Sequence, residues 1–269
     1  MSSSPWIAIG LTLFIWWFST GAILWGAKRM ERHSHAAQTR TVIFALPVAI
    51  FGGWLFWGTT GDVGITSIYG ACISAILIWG WVEFAFLTGV ICGPNRSPLP
   101  EGRPAWERFL RAWGAIAYHD MLLAGVLIAM GIASWHLPNQ FAFWTFAVLL
   151  FARISAQLNL FLGVSQVNTD FLPDRLAHMA SHFRIARMNM LFPLSISLLT
   201  LAAGCWVERA LHYDDPGLVA GFAMLGALTI LALVEHWMLM SRLPDDRLWR
   251  WLLPDASLST KTKQAQDGL

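Results

Sequence analysis

Seven apolar runs separated by polar segments set the pattern of this chain, at residues 6–26, 41–59, 64–92, 112–135, 141–163, 191–207 and 217–240. Crossing about 30 Å of hydrocarbon at about 1.5 Å per residue takes roughly 20 apolar residues. Each run is read as a membrane-spanning helix, the second and sixth as short spans and the third as one that tilts or overshoots. One polar segment carries a pattern of its own. Between residues 168 and 188, Leu172, Leu176, Met179 and Phe183 recur at helical spacing, while Asp174, Arg175, His178, His182 and Arg184 fall between them. Pro173 suits a first turn. The spacing predicts a short interfacial amphipathic helix between helices 5 and 6, its apolar side laid on lipid. The fold class expected is an all-α membrane protein, a bundle of seven transmembrane helices over residues 1–259. A polar, disordered cytoplasmic tail is expected at residues 260–269.

The basic residues orient the bundle. Lys28, Arg29, Arg32 and Arg40 lie between the first two runs, and Arg96, Arg103, Arg108 and Arg111 between the third and fourth. Arg175, Arg184 and Arg187 lie between the fifth and sixth, and Arg242, Arg247, Arg250, Lys261 and Lys263 after the last. Of the 18 Lys and Arg, only Arg209 falls on the opposite side and only Arg153 inside a run. By the positive-inside rule the N-terminus is periplasmic and the C-terminus cytoplasmic. The first run lacks a basic segment before it and a small-residue cleavage site after it, so it reads as a retained helix.

Composition agrees: 56% of the residues are hydrophobic and 13% charged, with a mean hydropathy of +0.54, where soluble domains carry about 25% charged. Cys72, Cys92 and Cys205 are widely spaced within or at the ends of apolar runs and read as small apolar residues. Of 16 Trp, Trp6, Trp25, Trp106, Trp135, Trp206 and Trp237 sit near run ends, where an amphipathic indole belongs. Trp16, Trp17, Trp79 and Trp81 are deeper, for helix packing or for contact with a flat apolar ligand.

Ionisable groups inside a span are costly and mark function or a specific partner. Six occur here: Glu83, His119, Asp120, Arg153, Glu235 and His236, with Asn159 near them. All fall in the cytoplasmic halves of their helices, roughly 7 to 15 Å from that end. Two readings stand side by side, an interhelical polar clamp and a ligand site. A magnesium tetrapyrrole would use His119 and His236, each with an alanine four residues earlier (Ala115, Ala232), where a ring bound to the His would lie. A carboxylate/histidine metal site would use Glu83, His119, Asp120, Glu235 and His236. Adjacent pairs diverge by about 100° on a helix and suit one ion less well than the Glu-x-x-His pairs of di-iron bundles. His33, His35, His178 and His182 form a second cytoplasmic set; positions 178 and 182 share a helix face, so a metal is geometrically allowed there, and surface histidines without a role are the preferred reading. No nucleotide-binding loop or nucleophile elbow appears.

Several of these segments resemble one family, the PuhE-type photosynthetic complex assembly proteins of phototrophic bacteria. The matching stretches are FSTGAILW (18–25), WVEFAFLTG (81–89), PNQFAFWTF (138–146) and RISAQLNLFLGVSQVNTDFLP (153–173). They continue with MNMLFP (188–193), EHWML (235–239) and LPDDRLWRWLL (243–253). The chain departs from the family pattern at Val82–Glu83, where the family carries His-Glu, and at Tyr118–His119–Asp120, where it carries His-His-Glu. The resemblance implies a multi-pass protein of the bacterial inner (intracytoplasmic) membrane. It implies an assembly factor for the reaction centre and core light-harvesting complex, holding bacteriochlorophyll, a precursor or an apoprotein helix. The partners implied are reaction-centre and light-harvesting subunits or other assembly factors, with lipid and no nucleic acid. The alternatives are a His/carboxylate metal enzyme of tetrapyrrole metabolism with a di-iron centre, and a stable structural subunit of the complex.

Overall fold

The computed structural model describes residues 4–167, 169 and 172–241. The expected tail at 260–269 and the basic residues from Arg242 onward lie outside them. Seven long helices carry the fold: α1 Pro5–Met30, α2 His35–Thr59, α3 Ile65–Leu87, α4 Ala105–Ser134, α5 Phe141–Leu162, α6 Leu191–His212 and α7 Pro216–Met238. All seven are long and apolar enough to cross a membrane, and no strand is formed among the described residues. Up-and-down order brings the ends of α1, α3, α5 and α7 beside the starts of α2, α4 and α6, where the basic loops lie.

Local chemistry explains the boundaries. Pro5 and Pro216 occupy first-turn positions where a missing N–H costs nothing, and Asp215 caps α7 through Gly217 N–H and Leu218 N–H, both 2.9 Å. The second and sixth spans are longer than their apolar runs, because flanking polar turns at 35–40 and 208–212 stay helical. The third is shorter. Gly89 at φ +75° closes α3, with Val90 N–H and Ile91 N–H both bonding the Ala85 carbonyl. Residues 88–95 therefore leave the helix and run back along α4.

α3 sits at the centre, in contact with α1, α2, α4, α5 and α7, and α7 packs on α1, α3, α5 and α6. Small residues permit the close approach: Ala71 and Ala75 on α3, Ala220, Gly221 and Ala223 on α7, all buried. Ile68, Leu123, Phe146 and Leu225 fill the centre, with Trp79 edge-on to Phe146 at 5.3 Å. At the end away from the basic loops, Asn139 Nδ2 donates to the Thr59 and Asp62 carbonyls, both 2.9 Å, tying the start of α5 to the α2–α3 turn.

The segment between α5 and α6 forms a helix where one is expected, Asp174–His182, but a 3₁₀ helix, and its apolar side does not face lipid. Leu176 is fully buried against Phe86 and Cys92, with Leu172 and Met179 beside it. Ser181 Oγ accepts from Leu99 N–H at 2.8 Å. The segment is a strap closing the basic end of α3 and α4. The wide apolar stripe finds protein before it finds lipid because residues 88–99 already line that end.

Candidate functional site

Four of the six intramembrane ionisable residues converge between α3, α4 and α5. Arg153 Nη1 donates to Glu83 Oε2 at 2.9 Å, and His119 Nδ1 lies 2.9 Å from Asp120 Oδ1. Gln157 closes the circuit. With its amide turned to satisfy both neighbours, its oxygen accepts from Arg153 Nε at 3.1 Å and its nitrogen donates to Asp120 Oδ2 at 3.2 Å. The fifth side is open: His119 Nε2 faces Glu83 Oε1 at 3.5 Å without completing a hydrogen bond, and neither atom has another partner. Phe86 covers the ring of groups, 4.4 Å from the His119 ring and 5.0 Å from Arg153 Cζ. Two carboxylates against one guanidinium leave one negative charge when His119 is neutral and none when it carries a second proton.

The loop after α3 helps to place His119. His119 N–H bonds the Cys92 carbonyl, Asn95 N–H bonds the Gly114 carbonyl, and Asn95 Nδ2 bonds the Arg111 carbonyl at 2.9 Å. Only glycine fits between, since a Cβ at Gly93 would run into the Gly114 carbonyl and the Ala115 backbone.

Asn159 and His236 belong to a separate network on the other side of α5. His236 Nδ1 lies 2.7 Å from the Ala232 carbonyl, which can only accept, so Nδ1 carries the proton and Nε2 accepts from Ser155 Oγ at 2.9 Å. Asn159 Nδ2 donates to the Ser155 carbonyl (2.9 Å) and to Ser195 Oγ (3.0 Å). Asn189 Nδ2 bonds Asn159 Oδ1 at 3.0 Å and the Gly163 carbonyl at 2.7 Å, and its oxygen caps α6 through Leu191 and Phe192 N–H. This clamp leaves His236 no nitrogen for a metal. His119 is equally enclosed, at 0% exposure, so neither histidine presents a face to a large planar ligand. Glu235 joins neither network and has no hydrogen bond or ion pair among the described residues. Among those residues no three His, Cys, Asp or Glu side chains gather as metal ligands.

Two cavities flank the Glu83–Arg153 pair. One, about 380 Å³, lies between α1, α3, α5 and α7 and is bordered by Trp16, Trp79, Glu83, Arg153 and Glu235. The other, about 610 Å³, lies between α4, α5 and the strap. Phe86, Trp113, Phe161 and Phe183 wall it, and Asp120, Arg153 and Gln157 form its polar floor. Phe109, Trp113, Met121 and Ile154 are exposed at its edge, so it opens sideways between α4 and α5.

His182 borders this second cavity from the strap, and it is not a surface residue: 4% of it is exposed, and its ring nitrogens are sealed from the cavity beside the Ser97 backbone. Burial lowers its pKa below the ordinary histidine value; the adjacent Ser97 backbone opposes this, and His178, Arg108 and Arg111 reinforce it. His178 is lowered likewise, by burial first. The residues that sequence reasoning missed are Gln157, Ser155 and Asn189, and His182, expected at the surface, is buried. Two carry a signal in hindsight: Arg153/Gln157 and Ser155/Asn159 are i,i+4 pairs, each sharing one face of α5.

Residues 1–260 match the family described as "Protein of unknown function (DUF3623)". A protein of Rhodobacter capsulatus described as "Uncharacterized 30.4 kDa protein in puhA 5'region" is 47% identical over 260 residues, covering 97% of this chain and 95% of that protein. No solved structure matches the chain. With the match running through all seven spans and the strap, this chain belongs to the DUF3623 family.

Proposed function

We propose that this protein is an assembly factor for the photosynthetic reaction centre and core light-harvesting complex, holding bacteriochlorophyll, a precursor or an apoprotein helix while the complex is built. It does so in the bacterial inner membrane, N-terminus periplasmic and basic end cytoplasmic. The relative's place in the puhA 5' region supports the link to the photosynthesis genes, as does the resemblance in the α5 stretch. The observation that carries the holding role is the 610 Å³ cavity, open sideways, aromatic on its walls and polar on its floor. That volume falls within the roughly 300–1,000 Å³ of small-molecule pockets. Its lateral mouth admits a lipophilic ligand from the bilayer without passage through water.

A magnesium tetrapyrrole fits this cavity better than the surroundings of His119 or His236, because aromatic side chains wall the cavity and the two histidines are enclosed by their neighbours. Arg153, Gln157 and Asp120 would meet polar substituents at the ring edge. A metal enzyme built on Glu83, His119, Asp120, Glu235 and His236 lacks support, since His236 is fully bonded and turned to the opposite side of α5.

The test is the absorption spectrum of the protein purified in mild detergent from a phototroph's membranes. A near-infrared band in stoichiometric amount is expected, together with reduced reaction-centre and core-antenna content when the gene is deleted. A colourless preparation removes the pigment-holding role, and an unchanged deletion strain removes the assembly role. Stoichiometric co-purification with mature complexes would instead mark a permanent subunit.

A further inference from the structure

We propose that the free edge of the Arg153 guanidinium is the group that meets the ligand of the α4–α5 cavity, donating to a carbonyl oxygen of an uncharged flat ring. The inference rests on the pigment-holding reading and narrows its candidates to rings without an ionised carboxylate.

A guanidinium carries five N–H donors and no acceptor. In Arg153, Nε–H goes to the turned Gln157 oxygen at 3.1 Å and one Nη1 hydrogen to Glu83 Oε2 at 2.9 Å. Five less two leaves three N–H groups, two of them on Nη2, with no hydrogen bond among the described residues. The side chain is 25% exposed and none of its nitrogens is both sealed and unpartnered, so these donors reach open space. A hydrogen bond from a charged donor is stronger than a neutral one, and a donor at membrane depth has no bulk water to fall back on. The plane of the group is fixed before a ligand arrives. Glu83 holds one end, Gln157 holds the other, and Phe86 covers a face at 5.0 Å from Cζ.

Charge and shape define the ligand. Arg153 borders both cavities, but in the smaller one it stands between Glu83 and Glu235. Among the described residues bordering the larger one, Arg153 is the one Lys or Arg and Asp120 the one Asp or Glu. Arg153 is already matched by Glu83. A carboxylate on the ligand would therefore meet two protein carboxylates and no unmatched cation, which is costly out of water. A carbonyl oxygen accepts from Nη2 and brings no charge. Phe86, Trp113, Phe161 and Phe183 offer faces and edges to the ring that carries it, and the sideways mouth stays free for a hydrocarbon tail.

The experiment uses the full-length protein in detergent. Bacteriochlorophyll a bound to wild type is expected to show at least one carbonyl stretch at lower infrared frequency than in an aprotic solvent, the mark of an accepted hydrogen bond. Arg153→Met combined with Glu83→Gln removes both charges together, so neither is orphaned. In that double variant the band is expected to return to the free frequency and the affinity to fall at least about tenfold. Methyl bacteriochlorophyllide a and bacteriochlorophyllide a carry the same ring with its acid side chain esterified or ionised. Wild type is expected to bind the ester at least about tenfold more tightly. Every carbonyl at its free frequency in wild type, or a lowered band that survives in the double variant, overturns the role of Arg153 and leaves the pigment-holding reading standing. Equal or tighter binding of the free acid overturns the uncharged ring. Binding of none of the three pigments by wild type overturns both readings. The wild-type arms decide the matter even where the double variant fails to fold, and its unchanged melting shows that a lost band is not lost folding.

Discussion

Breaking the Glu83–Arg153 pair tests whether charge balance holds α3, α4 and α5 together. At 2.9 Å and an effective dielectric of about 20, the gross attraction is about 6 kcal/mol, most of it offset by desolvation. Removing one partner leaves the other's desolvation uncompensated, which costs about 3–5 kcal/mol for a buried pair. The two ends differ. Glu83 has 8% of its side chain exposed and Arg153 25%, so the guanidinium can turn toward a cavity and the carboxylate cannot. Arg153→Gln leaves Glu83 and Asp120 facing each other across His119 and is expected to destabilise by about 3–5 kcal/mol. Glu83→Gln is expected to cost about half that. The double variant is expected to lie nearer wild type than Arg153→Gln, giving a coupling energy of about 2 kcal/mol or more. Unfolding in mixed micelles with rising sodium dodecyl sulfate, followed by tryptophan fluorescence, measures all three. Additive effects, or an Arg153→Gln loss below about 1 kcal/mol, would refute a ring held by charge.

Gly93→Ala drives a Cβ into the α4 backbone and lifts residues 92–95, losing three loop-to-helix hydrogen bonds; at about 0.5–1.5 kcal/mol each the loss is roughly 2–4 kcal/mol. Maleimide labelling reports it directly, because the Cys92 thiol, buried and pushed up to about 11, is inert in wild type and is expected to label in the variant. The strap is expected to loosen in acid. Burial depresses His182 and His178, so the unfolded strap binds more protons. Its stability is complete above about pH 6.5 and falls as pH drops below that value. Hydrogen-exchange protection across 174–182, with each rate divided into the intrinsic base-catalysed rate at its pH, is expected to be lower at pH 5 than at pH 8, and equal protection would refute the docking of both imidazoles. Asn189→Ala removes the α6 cap and the bonds to Asn159 and Gly163 and is expected to cost about 1–3 kcal/mol, read by the same micelle titration.

What the sequence discloses follows from period and cost. An apolar run of span length has one solution in lipid, so all seven helices were legible. Their ends were less so: run and helix part company where polar turns continue a helix, as at 35–40, or where a glycine stops it inside an apolar run, as Gly89 does. The strap's helix was legible from spacing and its environment was not, because a stripe headed by Leu176 reads the same against lipid as against Phe86 and Cys92. The convergence of Glu83, His119, Asp120 and Arg153 was legible from the expense of burying charge. Gln157 escaped because a neutral amide costs less and raises no alarm. His182 was expected at the surface because its sequence neighbours Ser181 and Arg184 are exposed, while its own ring is buried.

α5 explains why one slab of polar residues became two networks. Positions 153, 155, 157 and 159 are each two residues apart, and two residues turn a helix by about 200°. Alternate positions therefore fall on opposite sides. Arg153 and Gln157 look toward α3 and α4, where the carboxylates are; Ser155 and Asn159 look toward α6 and α7, where His236 and Ser195 wait. The four positions span about 9 Å along the helix axis, within one polar slab, so a reading by depth alone merges them, and His236 is assigned to a cluster it never meets. The division also sorts the roles. The α6–α7 side is hydrogen-bonded throughout around His236, and the cavity of about 550 Å³ beside Ser155 and Ser195 is lined almost wholly by apolar side chains. The α3–α4 side keeps an open edge between His119 and Glu83 and sets Asp120, Arg153 and Gln157 against its cavity, which a clamp alone does not require. Polar groups that could meet a ligand therefore face a cavity mainly on the α3–α4 side of α5.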